Sequence, residues 1–161
     1  MIPILEFERA ARDAEIARLR RVLAVRAMIV AGASQREVAQ RLDLTQPAIS
    51  YLVSEERTNG VRPSELLAAG GPILLDAVKS RGFTDLAVFG SAARGDDRPD
   101  SDVDLLVVPP DDADLFDMIR LEDALSKILG KGVDLVSHRS LDPQIDKDIL
   151  NDEVPICEVP V

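Results

Sequence analysis

The chain has 161 residues, enough for one domain or two small ones, and its hydrophobic fraction of 46% supports a buried core. A single cysteine excludes an internal disulfide and favours a cytoplasmic setting, and the short apolar start followed by acidic residues excludes a signal peptide and a membrane span. The net charge of −10 is uneven: residues 1–62 hold 10 Lys and Arg against 8 Asp and Glu, so the remainder carries −12. This asymmetry predicts two units with different partners, and the acidic unit is a poor surface for long nucleic acid.

The first predicted element is a long helix from about Glu6 to Ala31, which has no Gly or Pro inside it and ends at Gly32. Apolar residues recur along it at helical spacing and form one stripe. The stripe is interpreted as core for the next helices, and a dimerisation seam is the alternative. Its members are Ile16, Leu19, Leu23, Ala27 and Val30.

Two short helices are predicted next. Ser34 and Glu37 form a capping box that opens the first, and Thr45 caps the second, which tolerates Pro47 in its first turn. The string S-Q-R-E-V-A-Q-R-L-D-L-T-Q-P-A-I-S-Y-L-V resembles a bacterial helix-turn-helix. That resemblance implies operator DNA as a partner and, because one copy reads a half-site, a homodimer. The implied DNA-binding residues are Arg36, Gln46, Pro47, Ser50 and Tyr51.

The alternative interpretation is a helical hairpin that only packs or binds protein, since a charge of +2 is weak for a DNA-binding unit. Residues 1–58 are predicted to be the helix-turn-helix domain, residues 59–71 a linker, and residues 72–161 a second domain. Within the linker we expect a short helix from Ser64 to Ala69, broken by Gly70-Gly71, and Pro72 then opens the next helix.

An apolar run from Leu86 to Phe89 predicts a buried strand, and Gly90-Ser91 is a sharp polar break after it. Asp102 and Asp104 come at the start of a second apolar run. Alternation along a strand places residues i and i+2 on one face, so these two carboxylates should point the same way. Adjacent carboxylates repel unless a cation lies between them, and oxygen ligands suit Mg²⁺.

The turn before the aspartates suits a phosphate group. Gly90 allows unusual backbone angles and a close approach, and Ser91 offers a hydroxyl and a backbone N–H. Arg94 adds a planar, permanently charged donor. A phosphate cradle beside paired carboxylates is a layout for phosphoryl or nucleotidyl transfer.

After a helix that ends near Leu129, Gly132 leads into a third strand that contains Asp134, and Pro143 opens a last helix. The fold class is therefore predicted as α+β: an all-α N-terminal domain followed by a small mixed sheet with helices on one face. The other face stays open and carries the aspartates. His138 could share that face by alternation, although a surface histidine at the sheet edge is the commoner case.

The spacing G-S-x10-D-x-D, with the fuller string G-S-A-A-R-G and S-D-V-D-L-L-V, resembles the DNA polymerase β-like nucleotidyltransferase superfamily and its minimal nucleotidyltransferase (MNT) branch. The resemblance covers about residues 72–158. It implies that Asp102, Asp104 and Asp134 are catalytic and bind two Mg²⁺ ions, with Asp134 as the third acidic residue of the family. Gly90, Ser91 and Arg94 are the implied nucleotide-binding residues, and ATP is the default donor.

The resemblance also implies a function: an antitoxin that adenylylates a hydroxyl of a toxin from an adjacent gene, often a HEPN ribonuclease, and that regulates its own operon through the helix-turn-helix. Two alternatives stay open. One is an aminoglycoside-type small-molecule nucleotidyltransferase, although such enzymes usually carry an additional helical domain. The other is a transcription regulator that only senses nucleotide.

Overall fold

The computed structural model describes residues 1–158 of the chain. Four α-helices precede the first strand, and a four-stranded sheet with three further α-helices follows. The elements are α1 (Ile2–Val30), α2 (Gln35–Leu42), α3 (Gln46–Val53), α4 (Pro63–Lys79), β1 (Thr84–Phe89), α5 (Gly90–Arg94), β2 (Val103–Val108), α6 (Leu115–Leu129), β3 (Val133–Ser137), α7 (Lys147–Asp152) and β4 (Val154–Pro155).

The sheet has the strand order β3-β2-β1-β4. Strand β1 is antiparallel to both β2 and β4, whereas β2 and β3 are parallel. Alternate residues of β2, including Val103 and Leu105, are buried in one core cluster with side chains of α4 and α6. The predicted fold class, α+β with N-terminal helices and a small mixed sheet, is confirmed.

Helix α1 has apolar side chains on two faces in its second half. Leu19 and Leu23 are buried in the cluster that contains α4, α6 and the sheet, which confirms that the predicted stripe is core. Val25, on another face, is buried with Val38 of α2 and Ile49 of α3. Helix α1 therefore packs against both the helix pair and the sheet-containing part of the chain, whereas all of residues 2–15 are exposed.

Helices α2 and α3 begin as the sequence predicts. The backbone N–H of Ser34 donates to Glu37 Oε2 at 2.7 Å, and the Glu37 N–H donates to Ser34 Oγ at 3.2 Å, so the capping box is confirmed. The N–H of Ala48 donates to Thr45 Oγ1 at 3.2 Å. Between the helices Asp43 adopts a left-handed conformation with φ 53°, which turns the chain.

The predicted helix break at Gly70-Gly71 is wrong, because α4 runs without interruption across both glycines and Pro72. Tertiary packing explains the difference. A Cβ on Gly70 would overlap the side chain of Leu23, and one on Gly71 would contact Ile156. The glycines thus allow α1 and the C-terminal segment to approach α4 closely, which outweighs their low helix propensity.

A buried arginine connects the helix pair to the rest of the fold. Arg26 of α1 is only 4% exposed. Its guanidinium donates to Thr58 Oγ1 at 3.1 Å, to the Ser54 carbonyl at 2.9 Å and to the Ile128 carbonyl at 3.3 Å. Ser54 and Thr58 belong to the predicted N-terminal domain, whereas Ile128 belongs to the predicted C-terminal domain. The division into domains 1–58 and 72–161 with a linker stays a prediction.

The C-terminal elements differ in detail from the prediction. The last helix begins at Lys147 rather than at Pro143, since a turn in which Asp146 accepts the N–H of Asp142 precedes it. Strand β4 is only two residues long and was not predicted. Among residues 1–158, no helix is both long and apolar enough to cross a bilayer.

Candidate active site

The three predicted aspartates lie at adjacent strands of the sheet. Asp104 of β2 and Asp134 of β3 are direct partners in the parallel register, and Asp102 immediately precedes β2. Because Val103 and Leu105 face the buried core, alternation places Asp104 on the opposite face, away from α4 and α6. The local sequence V-D-L in both strands therefore brings two carboxylates side by side.

Two glycines leave space for these carboxylates. Gly90, which follows β1, has φ 70°, and a Cβ built on it would overlap Asp104 Oδ2. Gly132, just before β3, has the same relation to Asp102, because its Cβ would overlap Asp102 Oδ1. The backbone freedom of Gly90 was predicted from the sequence, whereas Gly132 was predicted only as the break that leads into the third strand.

The electrostatics of the cluster centre on Asp104. Burial raises the pKa of Asp104, and the negative charges of Asp134 and Asp102 raise it further, against a smaller opposing effect of Arg94. The direction shows that the carboxylates repel one another and that a cation among them would be favourable.

The residues fit a magnesium ion that binds together with phosphate groups. Within residues 1–158, no three acidic, His or Cys side chains are gathered closely enough to hold a metal ion by themselves. Mg²⁺, however, is usually held by one or two carboxylates plus substrate phosphates and waters. The oxygen-only donor set of Asp102, Asp104 and Asp134 and the space left by Gly90 and Gly132 match that mode of binding.

The turn Gly90-Ser91 opens the five-residue helix α5, so its first N–H groups have no partner within the helix. Arg94 ends this helix, and its guanidinium donates to Asp152 at 2.7 Å and to Asp96 at 3.4 Å. Asp152 lies 58 residues further along the chain, so the sequence offered no signal for this pair. The contact joins α5 to the end of α7.

The loop between α5 and β2 is fixed by contacts with the N-terminal half. Buried Asp97 accepts the N–H of Ser64 at 2.7 Å and its hydroxyl at 3.0 Å, at the start of α4. Lys131, next to Gly132, donates to the carbonyls of Pro99 and Asn59. The loop that carries the motif therefore has a defined position. Neither Asp97 nor Lys131 was predicted, because their partners are distant in sequence.

His138 follows the end of β3, and its Nε2 lies 3.2 Å from Glu153 Oε2. Glu153 precedes β4, which pairs with β1 on the far side of β1 from β2. The His138 ring thus contacts a carboxylate, and this contact links the end of β3 to the segment before β4.

The predicted DNA-binding residues all have exposed side chains. Tyr51 is held by Arg57, whose guanidinium lies 4.3 Å from the ring centroid and also contacts the tyrosine hydroxyl. Arg57 was not predicted as part of this surface. The exposed residues are Arg36 of α2 and Gln46, Pro47, Ser50 and Tyr51 of α3.

Comparison with known proteins gives matches to part of the chain. Residues 81–159 match the family described as polymerase beta, nucleotidyltransferase. A provisionally named protein adenylyltransferase of Methanocaldococcus jannaschii is 36% identical over 85 residues, which are 53% of this chain and 87% of the relative. The protein adenylyltransferase MntA of Thermococcus cleftensis is 42% identical over 73 residues, 45% of this chain and 74% of that one.

A solved structure, described provisionally as a minimal nucleotidyltransferase, is 40% identical in sequence with a TM-score of 0.52. The likeness covers 57% of this chain and 94% of that structure.

Proposed function

The chain belongs to the polymerase beta nucleotidyltransferase family and is a nucleotidyltransferase, and we propose that it transfers AMP from ATP to a hydroxyl group of a partner toxin protein. The observation that carries the proposal is the pairing of Asp104 with Asp134 beside Gly90. Paired carboxylates next to a glycine-serine turn that opens a helix suit nucleotidyl transfer.

A protein acceptor is supported by the names of the two relatives described above, both of which are called protein adenylyltransferases. Their matches span most of their own length. The antitoxin role, a toxin encoded by an adjacent gene and its assignment as a HEPN ribonuclease rest on the MNT resemblance of the motif.

In the proposed mechanism Gly90 and Ser91 bind the β- and γ-phosphates through backbone N–H groups and the serine hydroxyl. Asp102, Asp104 and Asp134 would hold two Mg²⁺ ions, which when bound neutralise charge on the triphosphate. Asp134 accepts the proton of the acceptor hydroxyl. The hydroxyl oxygen forms a bond to the α-phosphorus while the bond from that phosphorus to the bridging oxygen breaks, so pyrophosphate leaves.

Arg94 requires a rearrangement in this mechanism. Its guanidinium is paired with Asp152 and Asp96, so a contact with the triphosphate exchanges these carboxylates for phosphate oxygens. Arginine suits both partners, because its planar donors bind carboxylate and phosphate alike. Arg94 would therefore bind nucleotide only after it leaves Asp152.

The N-terminal helices are proposed to bind operator DNA and thereby autoregulate the operon. The support is the capped helix pair α2–α3 with its polar residues exposed, together with the apolar packing of the pair on α1. Gln46 and Ser50 would contact base edges and Arg36 a phosphate. A single copy reads a half-site, so we propose a homodimer.

The experiment that tests transfer is incubation of the chain with ATP, Mg²⁺ and the protein encoded beside it, followed by intact-mass analysis. We expect the neighbouring protein to gain one or more adenylyl groups. In parallel reactions, adenylylation of aminoglycosides but not of the neighbouring protein would favour the small-molecule alternative. Nucleotide binding without transfer to any acceptor would favour the sensor alternative.

A further inference from the structure

The N-terminal half of α1 is a helical segment in which every residue is exposed. Residues 2–15 extend about 21 Å at 1.5 Å per residue, and every one of them is exposed. We call this segment the arm. Phe7 and Ile2 are each 75% exposed and Ile4 is 56% exposed. An isolated helix of this length is only marginally stable in water. Exposed aromatic and aliphatic side chains on the arm therefore favour packing against another surface.

One face of the arm carries a heptad pattern. Ile4, Phe7, Ala11 and Ala14 are spaced by three, four and three residues, which is the a and d repeat of a coiled-coil seam. Three heptads further along, the positions equivalent to the first two are occupied by Val25 and Met28. Those two residues pack against α2 and α3. The a and d positions between Ala14 and Val25 are Arg18 and Arg21, so the exposed apolar seam is confined to the arm.

The pattern is complementary to itself when two copies run antiparallel. That arrangement brings each a position against a d position of the other helix. Ile4 then faces Ala14 of the partner subunit, and Phe7 faces Ala11 of the partner subunit. A large side chain then meets a small one in every layer, a combination that favours close packing of a seam.

We propose that the arm is the dimerisation element of this chain and that its occupant is the arm of a second copy, in this antiparallel register. Phe7 is the anchor, because an aromatic side chain buries about 150–250 Å². The seam is short, so we expect a weak dimer with a dissociation constant on the order of micromolar, in the class of small interfaces.

The first test is analytical ultracentrifugation of the full chain over a wide range of concentration, without DNA or nucleotide. Wild type should show a monomer–dimer equilibrium, and Phe7→Glu should weaken it roughly tenfold or more. The matched control is Ile2→Glu, which adds the same charge at an equally exposed residue outside the a and d positions and should leave the equilibrium unchanged. Both changes are on the surface, so circular dichroism should show the same fold.

The second test fixes the register. In a Cys157→Ser background, needed because Cys157 is exposed, a mixture of Phe7→Cys and Ala11→Cys chains should form a disulfide-linked dimer more readily than either variant alone. Preferential crosslinking of Phe7→Cys with itself would indicate parallel arms and overturn the proposal.

Three other results would also overturn it: a monomer at every concentration, a dimer that Phe7→Glu leaves intact, or a monomer in which Phe7→Glu abolishes only the binding of the neighbouring toxin. The inference deepens the proposed operator binding. The sedimentation experiment uses neither DNA nor nucleotide. A failure of the dimerisation proposal is therefore distinguishable from a failure of operator binding or of transfer.

Discussion

Replacement of Gly90 by alanine perturbs the candidate site in two ways that can be separated. Gly90 has φ 70°, and a left-handed conformation costs a residue with a Cβ roughly 1–2 kcal/mol. For a chain of this size that strain lowers the melting temperature by roughly 2–8 °C. In addition, the new Cβ would overlap Asp104 Oδ2, so the carboxylate must move. A misplacement of about 1 Å in a catalytic group costs on the order of 100-fold in rate.

Two other glycines provide matched controls. Gly95 has φ 80°, but a Cβ added to it would meet no atom within 4 Å, so Gly95→Ala should show the same loss of stability with near-normal transfer. Gly132 lacks a positive φ, yet its Cβ would overlap the exposed carboxylate of Asp102. Gly132→Ala should therefore reduce transfer while the melting temperature changes little.

The assay is thermal unfolding of each variant together with the initial rate of AMP transfer to the partner protein. We expect Gly90→Ala to lose both stability and transfer, Gly95→Ala only stability, and Gly132→Ala only transfer. If Gly90→Ala and Gly95→Ala lost transfer equally, the effect would come from the conformation of α5, and the contact with Asp104 would not be the reason for glycine at position 90.

Three further predictions concern other parts of the chain. Burial and neighbouring carboxylates raise the pKa of Asp104 in the folded protein. The stabilisation from its protonated form is therefore fully present below the unfolded-state pKa of about 3.9, and it is lost as the pH rises through the raised folded-state pKa. Asp104→Asn should thus abolish transfer. It should keep or raise the melting temperature of the metal-free protein at neutral pH, and it should not raise the melting temperature at acidic pH. A lower melting temperature at neutral pH would contradict this prediction. Gln46→Ala and Ser50→Ala should each weaken operator binding by roughly 1–3 kcal/mol, whereas Arg36→Ala should reduce the salt slope by about one without changing sequence preference, both measured by fluorescence anisotropy against operator and scrambled DNA. Arg26→Met should cost about 2–4 kcal/mol in chemical unfolding, since it leaves buried acceptors unsatisfied, and a loss within error would show that water replaces the guanidinium.

The face of the sheet that carries Asp104 was predictable because it depends on local rules. Alternation along β2 places Val103 in the core and Asp104 opposite, and the glycine-serine turn at position 90 precedes it at a fixed distance. The pairing of Asp104 with Asp134 followed from the family resemblance, since single-strand patterns do not specify which strands become neighbours.

Contacts between distant segments were not predictable. The sequence indicates a break at Gly70-Gly71, but close packing on Leu23 keeps the helix continuous. Arg94 pairs with Asp152, and buried Asp97 caps the start of α4, through carboxylates that look like ordinary surface charges in the sequence. Local propensity determines the elements, whereas these long-range contacts determine how the motif loop is held.

Transfer of AMP to a protein hydroxyl by the paired aspartates is tested most directly by intact-mass analysis of the neighbouring gene product. The product is incubated with ATP and Mg²⁺, using wild type and Asp104→Asn side by side. We expect an adenylyl adduct on a Ser, Thr or Tyr side chain with wild type and none with the variant. An adduct that forms equally with Asp104→Asn, or no adduct with wild type while a small molecule is adenylylated, would contradict this function.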